Sequence, residues 1–333
     1  MLCHSWEARP RRDRTSQTAR CSPSATHTSQ VGPAGAWHPA TAEPISHIEK
    51  GTDESSSGNQ SSRPRRATLL TTSALLEVRG VAKAYGAVTA LRNASLSVEE
   101  GEVVALVGDN GAGKSTLIKI LSGVVTADAG EIRFDGRNVV LRRPGDATAL
   151  GIQTVYQDLA LCEHLDTIEN IFLGREIQRP PRFGLRLARP QMEKIARAIL
   201  ASLGISIPRL DRPVSTLSGG QRQCVAVCRA VLGDPKLVIL DEPTAALGVA
   251  QKRDVLELIR RLRDHGRGVV MISHNLVEVL KVADRIVVMR LGETVANREL
   301  SQWSERALVA AITGASSSTA REESAVVEGG ASQ

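Results

Sequence analysis

The sequence predicts an α/β fold: a mainly parallel, buried sheet interleaved with amphipathic helices, plus one block that is helical throughout. Three observations carry that reading. First, the apolar run Val103-Val104-Ala105-Leu106-Val107 leads into Gly108-Asp109-Asn110-Gly111-Ala112-Gly113-Lys114-Ser115, and Leu117, Ile118, Ile120 and Leu121 follow at helical spacing. That is strand, turn, helix. Second, the same grammar returns downstream in Leu237–Leu240, Val269–Ile272 and Ile286–Met289, separated by helical patterns. Apolar runs of this kind are strands covered on both faces. Third, Asp158 to about Thr216 carries helical patterns instead of such runs.

Taken in order, residues 1–73 are dominated by Arg, Ser, Thr, Pro and Ala and keep no periodicity. Such a stretch cannot bury enough apolar surface to fold alone. It reads as a disordered extension or a start placed too far upstream. An anionic tether and a transit peptide are the rival readings, and Glu7, Asp13, Glu43, Glu49 and Asp53 weigh against the latter. Leu76, Val78 and Val81 then mark a strand that runs to Tyr85-Gly86. Val88–Leu91 and Leu96–Val98 read as two further short strands with turns between them, and Glu99–Glu102 as a turn. Gly130–Gly136 reads as strand and turn, and Ile152–Tyr156 as a strand that stops at Gln157.

Asp166 with Glu169 three residues on is a helix start ahead of Ile168, Ile171 and Phe172. Pro190 opens another helix, whose apolar face is Ile195, Ile199, Leu200 and Leu203 and whose end is Gly204. The Pro-rich 179–184 stretch between them is a surface loop. Val255, Leu258, Ile259 and Leu262 make an amphipathic helix closed by Gly266; Leu276–Val282 is a helix, and a last one runs from about Leu300 to Ile312. The tail from Gly314 is small and polar and reads as disordered, and no internal repeat is found.

Composition bounds the function. Hydrophobic content is 42 % and charged content 23 %, as in globular proteins, and aromatics are only 2 %, so the core is aliphatic. The net charge of +6 owes much to Arg residues of the N-terminal segment and carries little weight for a nucleic-acid face. No apolar run approaches a membrane span, and the N-terminus lacks the apolar stretch of a secretory signal. The five cysteines have no zinc or redox spacing; Cys224 and Cys228, at i, i+4, read as small core residues, which fits a reducing cytoplasm.

Gly108 to Ser115 fits G-x-x-x-x-G-K-[ST]. A loop that wraps a polyphosphate turns its N–H groups inward, and Gly108, Gly111 and Gly113 permit the dihedrals and the close approach. The helix that follows aims unpaired N–H groups at the same anion; Lys114 reaches the β- and γ-phosphates and the Ser115 hydroxyl ligates Mg²⁺. Leu237–Glu242 is an apolar strand ending in two carboxylates. Ligands bind beyond the carboxyl ends of such strands, which points Asp241 at the metal and gives Glu242 a water to polarise. Leu217-Ser218-Gly219-Gly220-Gln221 is a second Gly-rich helix start, either an anion site or a plain cap.

Gly108–Ser115, Gln157, Leu217–Gln221, Leu237–Glu242 and His274, in this order and spacing, resemble the ATP-binding cassette (ABC) ATPases, over about Leu75 to Gly314. The resemblance implies a P-loop NTPase core of mainly parallel sheet with an antiparallel β subdomain. It places the ABC ATPase domain at 74–314 with a helical subdomain at about 158–232, flanked by disordered segments 1–73 and 315–333. It implies that Tyr85 stacks on adenine and that Gly108, Asn110, Gly111, Gly113, Lys114, Ser115 and Thr116 hold ATP. Ser115, Gln157 and Asp241 then surround Mg²⁺, and Gln157 also links that site to the helical subdomain and the membrane partner. Glu242, His274 and Gln157 form the catalytic group, with His274, otherwise readable as a strand-end structural histidine, as γ-phosphate sensor. Ser218 and Gly220, with Gly219 and Gln221 beside them, meet the nucleotide of the opposite subunit.

One departure narrows the resemblance. Gly248 stands where most cassettes carry Asp. That variant, with Val155–Leu161 and Ile171–Glu176, is similar to the cassettes of importers of simple sugars such as ribose, xylose or fructose. The implied protein is the ATP-hydrolysing subunit of such an importer, peripheral on the cytoplasmic face of the cell membrane. It works as a homodimer through its ATP sites, with integral-membrane permease subunits and, indirectly, a sugar-binding protein, and without nucleic acid. The rival readings are a soluble ABC protein acting on ribosomes or DNA and an exporter cassette. The soluble members carry two cassettes or long coiled coils, which this sequence lacks.

Overall fold

A computed structural model describes residues 74–179 and 186–315. The expectations for 1–73, for 180–184 and for the tail beyond 315 fall outside the described residues. Ten strands among the described residues form one sheet: β1 (Leu76–Tyr85), β2 (Val88–Val98), β3 (Val103–Gly108), β4 (Ala129–Phe134), β5 (Arg137–Asn138), β6 (Ile152–Val155), β7 (Leu237–Asp241), β8 (Gly268–Ile272), β9 (Arg285–Arg290) and β10 (Glu293–Glu299). Their order is β5-β4-β1-β2-β10-β9-β3-β8-β7-β6. The block β9-β3-β8-β7-β6 is parallel throughout. β1, β2, β4 and β5 pair antiparallel.

Eight α-helices accompany them among the described residues: α1 (Lys114–Leu121), α2 (Pro144–Leu150), α3 (Thr167–Phe172), α4 (Arg189–Ser202), α5 (Gly219–Val231), α6 (Val249–Asp264), α7 (Leu276–Val282) and α8 (Glu305–Thr313). Alternation along the strands sorts the aliphatic core between the two faces of the sheet. Val238 and Leu240 of β7 pack with side chains of α3, α4, α5 and α6. Leu237 and Ile239 pack with Leu117, Ile118, Ile120 and Leu121 of α1. Each fully buried Leu, Ile or Val contributes about 1.5–3 kcal/mol relative to exposure.

The predicted capping box forms. Glu169 N donates to Asp166 Oδ1 at 2.9 Å and Asp166 N donates to Glu169 Oε2 at 3.1 Å. Arg189, which opens α4 beside Pro190, pairs with both carboxylates and ties the two helices together. Cys224 and Cys228 are buried in α5; burial pushes the Cys224 thiol up to about 11 and raises that of Cys228 further.

The expectation of two short strands at 88–98 is corrected. β2 is continuous, because Arg92 and Asn93 both donate backbone N–H to Gly292 O, at 2.9 and 3.2 Å, and Ser95 N donates to Thr294 Oγ1. Register shifts against β1 absorb the irregularity that reads as a turn. Three elements are not foreseen by the sequence reading: α2, β5 and β10. α2 begins in Pro144-Gly145, which looks like a turn, yet Asp146 Oδ2 accepts from Arg142 N and Arg143 N and holds its first turn. The last predicted helix is split. Leu300–Gln302 is a 3₁₀ turn, and α8 starts afresh because Ser304 Oγ accepts from Ala307 N at 3.1 Å. Gly314, at φ 80°, ends it.

Candidate functional site

β3 lies between β9 and β8, and its carboxyl end opens directly into the phosphate-loop sequence. Gly113 is the N-cap of α1, at φ 101° with no side-chain cap, so the first N–H groups of the helix stay available to an anion. The three glycines divide the work. A Cβ on Gly108 would sit 2.2 Å from Met289 O, and one on Gly113 2.6 Å from Leu91 Cδ2 and 2.8 Å from Ala90 O. Gly111, at φ 81°, has no atom within 4 Å of that position. Gly108 and Gly113 therefore let the loop close against its own protein, while Gly111 alone faces open space.

Lys114 is buried, and its Nζ donates to Gly108 O at 2.8 Å and Asp109 O at 3.0 Å. Desolvation lowers its pKa; the charges of Glu242, Asp109 and Asp241 oppose that shift. Ser115 and Asn110 are exposed and Thr116 is half-buried. Asn110 N donates to Asp109 Oδ1 at 2.7 Å, which fixes the turn.

Asp241 closes β7 in register with Ile272 of β8. Burial, and then the neighbouring Glu242 carboxylate, hold its pKa above the ordinary value, with Lys114 and Lys119 opposing. Glu242 leaves the strand in a left-handed turn, φ 48°, pinned by its N–H donating to Ile272 O at 3.0 Å. Its carboxylate lies 2.9 Å from Nδ1 of His274, which follows β8 and is largely exposed. A non-glycine residue in this conformation is held by its surroundings and clusters at functional sites. Gln157, beyond the end of β6, and Gly219 line one cleft with Glu242, of about 370 Å³.

Ser218 caps α5: its Oγ accepts from Gln221 N at 3.3 Å, and Gln221 Oε1 accepts from Ser218 N at 3.0 Å. A Cβ on Gly219 would lie 3.0 Å from Leu247 Cδ2, and one on Gly220 3.0 Å from Gln251 Cβ, so these glycines let the start of α6 approach. Ser218, Gly220 and Gln221 face a second cleft with Gln251 and Asp254. Among the described residues, no side chain of this turn hydrogen-bonds to the phosphate loop. Tyr85 ends β1 about half exposed, with Lys83 Nζ 5.7 Å from its ring centroid. One chain thus gathers Lys114, Asp241, Glu242 and His274, brings Gln157 to the same cleft as Glu242, and turns Ser218 elsewhere.

Gly248 is the N-cap of α6 and offers no side-chain acceptor; Gln251 Oε1 accepts its N–H at 3.2 Å instead. The sequence reading passed over Asp109, an unspecified position of the loop motif, and Glu278, which is buried behind the Glu242 and His274 loops. Asp109 had one signal available, its place directly after the first motif glycine, Gly108.

Residues 91–245 match the family model for the ABC transporter. The chain is 49 % identical over 245 residues to the fructose import ATP-binding protein FrcA of Rhizobium meliloti, covering 72 % of this chain and 94 % of that protein. It is 46 % identical over 239 residues to the xylose/arabinose import ATP-binding protein XylG of Sulfolobus acidocaldarius, with the same coverage. The ribose import ATP-binding protein RbsA of Chromobacterium violaceum is 44 % identical over 225 residues, 68 % of this chain, but the match spans only 44 % of that protein. Among solved structures, the ADP conformation of MJ1267, an ATP-binding cassette of an ABC transporter, aligns with a TM-score of 0.62 at 28 % identity, over 73 % of this chain and 96 % of that one. Identity near one half, kept along nearly the whole of a relative and joined to a phosphate loop, a carboxylate pair and a capped Ser-Gly-Gly turn in that order, is more than a shared fold: the chain belongs to the ABC transporter family of ATP-binding proteins.

Proposed function

We propose that this chain is the ATP-hydrolysing subunit of an importer for a simple sugar, working as two copies that close on two ATP molecules. The observation that carries the reading is the Glu242–His274 pair, 2.9 Å apart at the carboxyl end of the strands, with Lys114 drawn by the field of the same carboxylates. The sugar class rests on the import functions named for FrcA and XylG, whose lengths this chain nearly spans.

In this reading the N–H groups of Gly111 to Ser115 and the Lys114 ammonium bind the β- and γ-phosphates. Tyr85 stacks on the adenine. Thr116 and Asn110 complete the loop's contacts. Among the described residues, no group of three or more His, Cys, Asp or Glu is placed to hold a metal. Ser115, Asp241 and Gln157, the residues that would hold the ion, offer only a few oxygens. That sparse, hard donor set suits Mg²⁺, which keeps waters and takes its other ligands from phosphates. Held by these residues, Mg²⁺ would supply neutralisation of the phosphate charge. Glu242 orients water and takes its proton as the water oxygen bonds to the γ-phosphorus. The bond from the γ-phosphorus to the bridging oxygen breaks and ADP leaves. With a proton on each ring nitrogen, His274 donates from Nδ1 to Glu242 and from Nε2 to a γ-phosphate oxygen.

Ser218, Gly219, Gly220 and Gln221 then serve the other copy's nucleotide, in keeping with the absence, among the described residues, of a side-chain hydrogen bond from Ser218 to its own phosphate loop. A solved dimer of a related cassette bound to ADP and Pi, at 25 % identity and a TM-score of 0.58, supports pairing of this kind. No helix among the described residues is long and apolar enough to cross a membrane. In this reading passage of the sugar falls to separate permease subunits fed by a sugar-binding protein, with this chain on the cytoplasmic face.

The test has two arms. Glu242→Gln retains ATP binding and loses at least about a hundredfold in turnover, the scale of a lost general base; hydrolysis at the parent rate removes Glu242 from that role. Deleting the gene abolishes uptake of one labelled sugar among fructose, xylose, arabinose and ribose; unchanged uptake of all four overturns the sugar assignment.

A further inference from the structure

Glu278 is an acid on an otherwise mostly apolar short helix, α7, and it is one of the few buried charged groups, 4 % exposed. Its carboxylate reaches beyond its own helix. One oxygen accepts from the hydroxyl of Thr244, two residues beyond Glu242. The other accepts from Asn275 Nδ2 at 2.8 Å, the residue after His274, and lies 2.9 Å from Lys252 Nζ in the first turns of α6. Thr244 is buried too, at 4 %. Asn275 Oδ1 in turn caps α7 by accepting from Glu278 N at 3.4 Å. One carboxylate thus fastens the loop after β7, the loop after β8 and the start of α6.

Those are the loops that present Glu242 and His274 to each other. Glu242 and Ala246 both hold positive φ, 48° and 57°, and the turn that contains them needs an external tether. We propose that Glu278 is a positioning residue for ATP hydrolysis: through Thr244 and Asn275 it sets the spacing and direction of the Glu242–His274 pair. Glu278 touches neither residue and acts on the reaction only through them. The inference rests on the site reading given above.

Three variants test it, each scored for kcat, KM for ATP, nucleotide affinity and melting temperature. Glu278→Gln keeps the volume but discards the charge that holds Lys252 and leaves one acceptor oxygen in place of two, so Thr244 and Asn275 are no longer both held. Its kcat falls about ten- to a hundredfold, the range of a displaced reacting group, while KM, affinity and melting temperature stay close to the parent's. Thr244→Val, which removes only the hydroxyl, falls the same way and decides the matter if Glu278→Gln does not fold. In a His274→Ala background, adding Glu278→Gln lowers kcat no further, because the pair it positions is already broken. An unchanged kcat in Glu278→Gln or Thr244→Val overturns the proposal. So does joint loss of kcat, affinity and melting temperature in Thr244→Val, or a full multiplicative loss in the His274→Ala background. His274→Ala turning over at the parent rate defeats the site reading itself; a crippled His274→Ala beside a normal Glu278→Gln defeats only the role of Glu278.

Discussion

Alanine at Gly108 and alanine at Gly111 have different consequences, although both positions belong to one motif. At Gly108 the new Cβ meets Met289 O at 2.2 Å, more than an ångström inside ordinary contact, with Ala112 Cβ at 3.2 Å on another side. Met289 O cannot retreat freely, since Gly108 and Met289 are paired in the β3–β9 ladder. Overpacking of about 1–3 kcal/mol adds to about 1–2 kcal/mol for the unfavourable backbone conformation, so Gly108→Ala costs about 2–5 kcal/mol. At Gly111 no atom lies within 4 Å, and only the backbone term applies, about 1–2 kcal/mol. The methyl there projects toward the face the phosphates take and weakens nucleotide affinity about tenfold, or about 1.4 kcal/mol. Urea unfolding without nucleotide, followed by titration with a fluorescent ATP analogue, separates the two effects. Gly111→Ala unfolding more readily than Gly108→Ala, or binding nucleotide with parent affinity, would refute the reasoning.

Two other outcomes follow from burial. Asp241 binds a proton more readily in the folded chain than in the unfolded one, so its contribution to stability falls as pH rises from the unfolded carboxylate value through the raised folded one. Asp241→Asn therefore melts higher than the parent at pH 8, with the gap closing below about pH 4, yet it binds Mg·ATP more weakly; an unchanged or lower melting point at pH 8 counts against the burial argument. Among Cys162, Cys224 and Cys228, a thiol reagent at pH 8 labels only exposed Cys162 in the native protein, because the other two are buried with raised pKa values. Fast native labelling of Cys224 or Cys228, read by peptide mapping, contradicts that.

What could be read from the sequence was what the chain keeps local. The phosphate loop, the Asp166–Glu169 box and the carboxylates ending β7 each lie within a few residues, so spacing alone reveals them. The continuity of β2 could not be read, because its polar middle is held by Gly292 and Thr294, about two hundred residues away in sequence. Nor could the split among the glycines, since the atoms that crowd Gly108 and Gly113 belong to β9 and β2. Glu278 looked like an ordinary helix carboxylate, and its bond to Thr244 spans 34 residues. The Leu217–Gln221 turn carried two readings at once. Its cap is seen in one chain, whereas the proposed service to a nucleotide involves a second copy.

The central claim is that each site is completed by two copies of the chain. Light scattering on Glu242→Gln with Mg·ATP tests it most directly: the account predicts a dimer that Ser218→Arg, added to the same chain, converts to a nucleotide-bound monomer. A protein that stays monomeric with ATP and hydrolyses it at full rate, unaffected by Ser218→Arg, would contradict it.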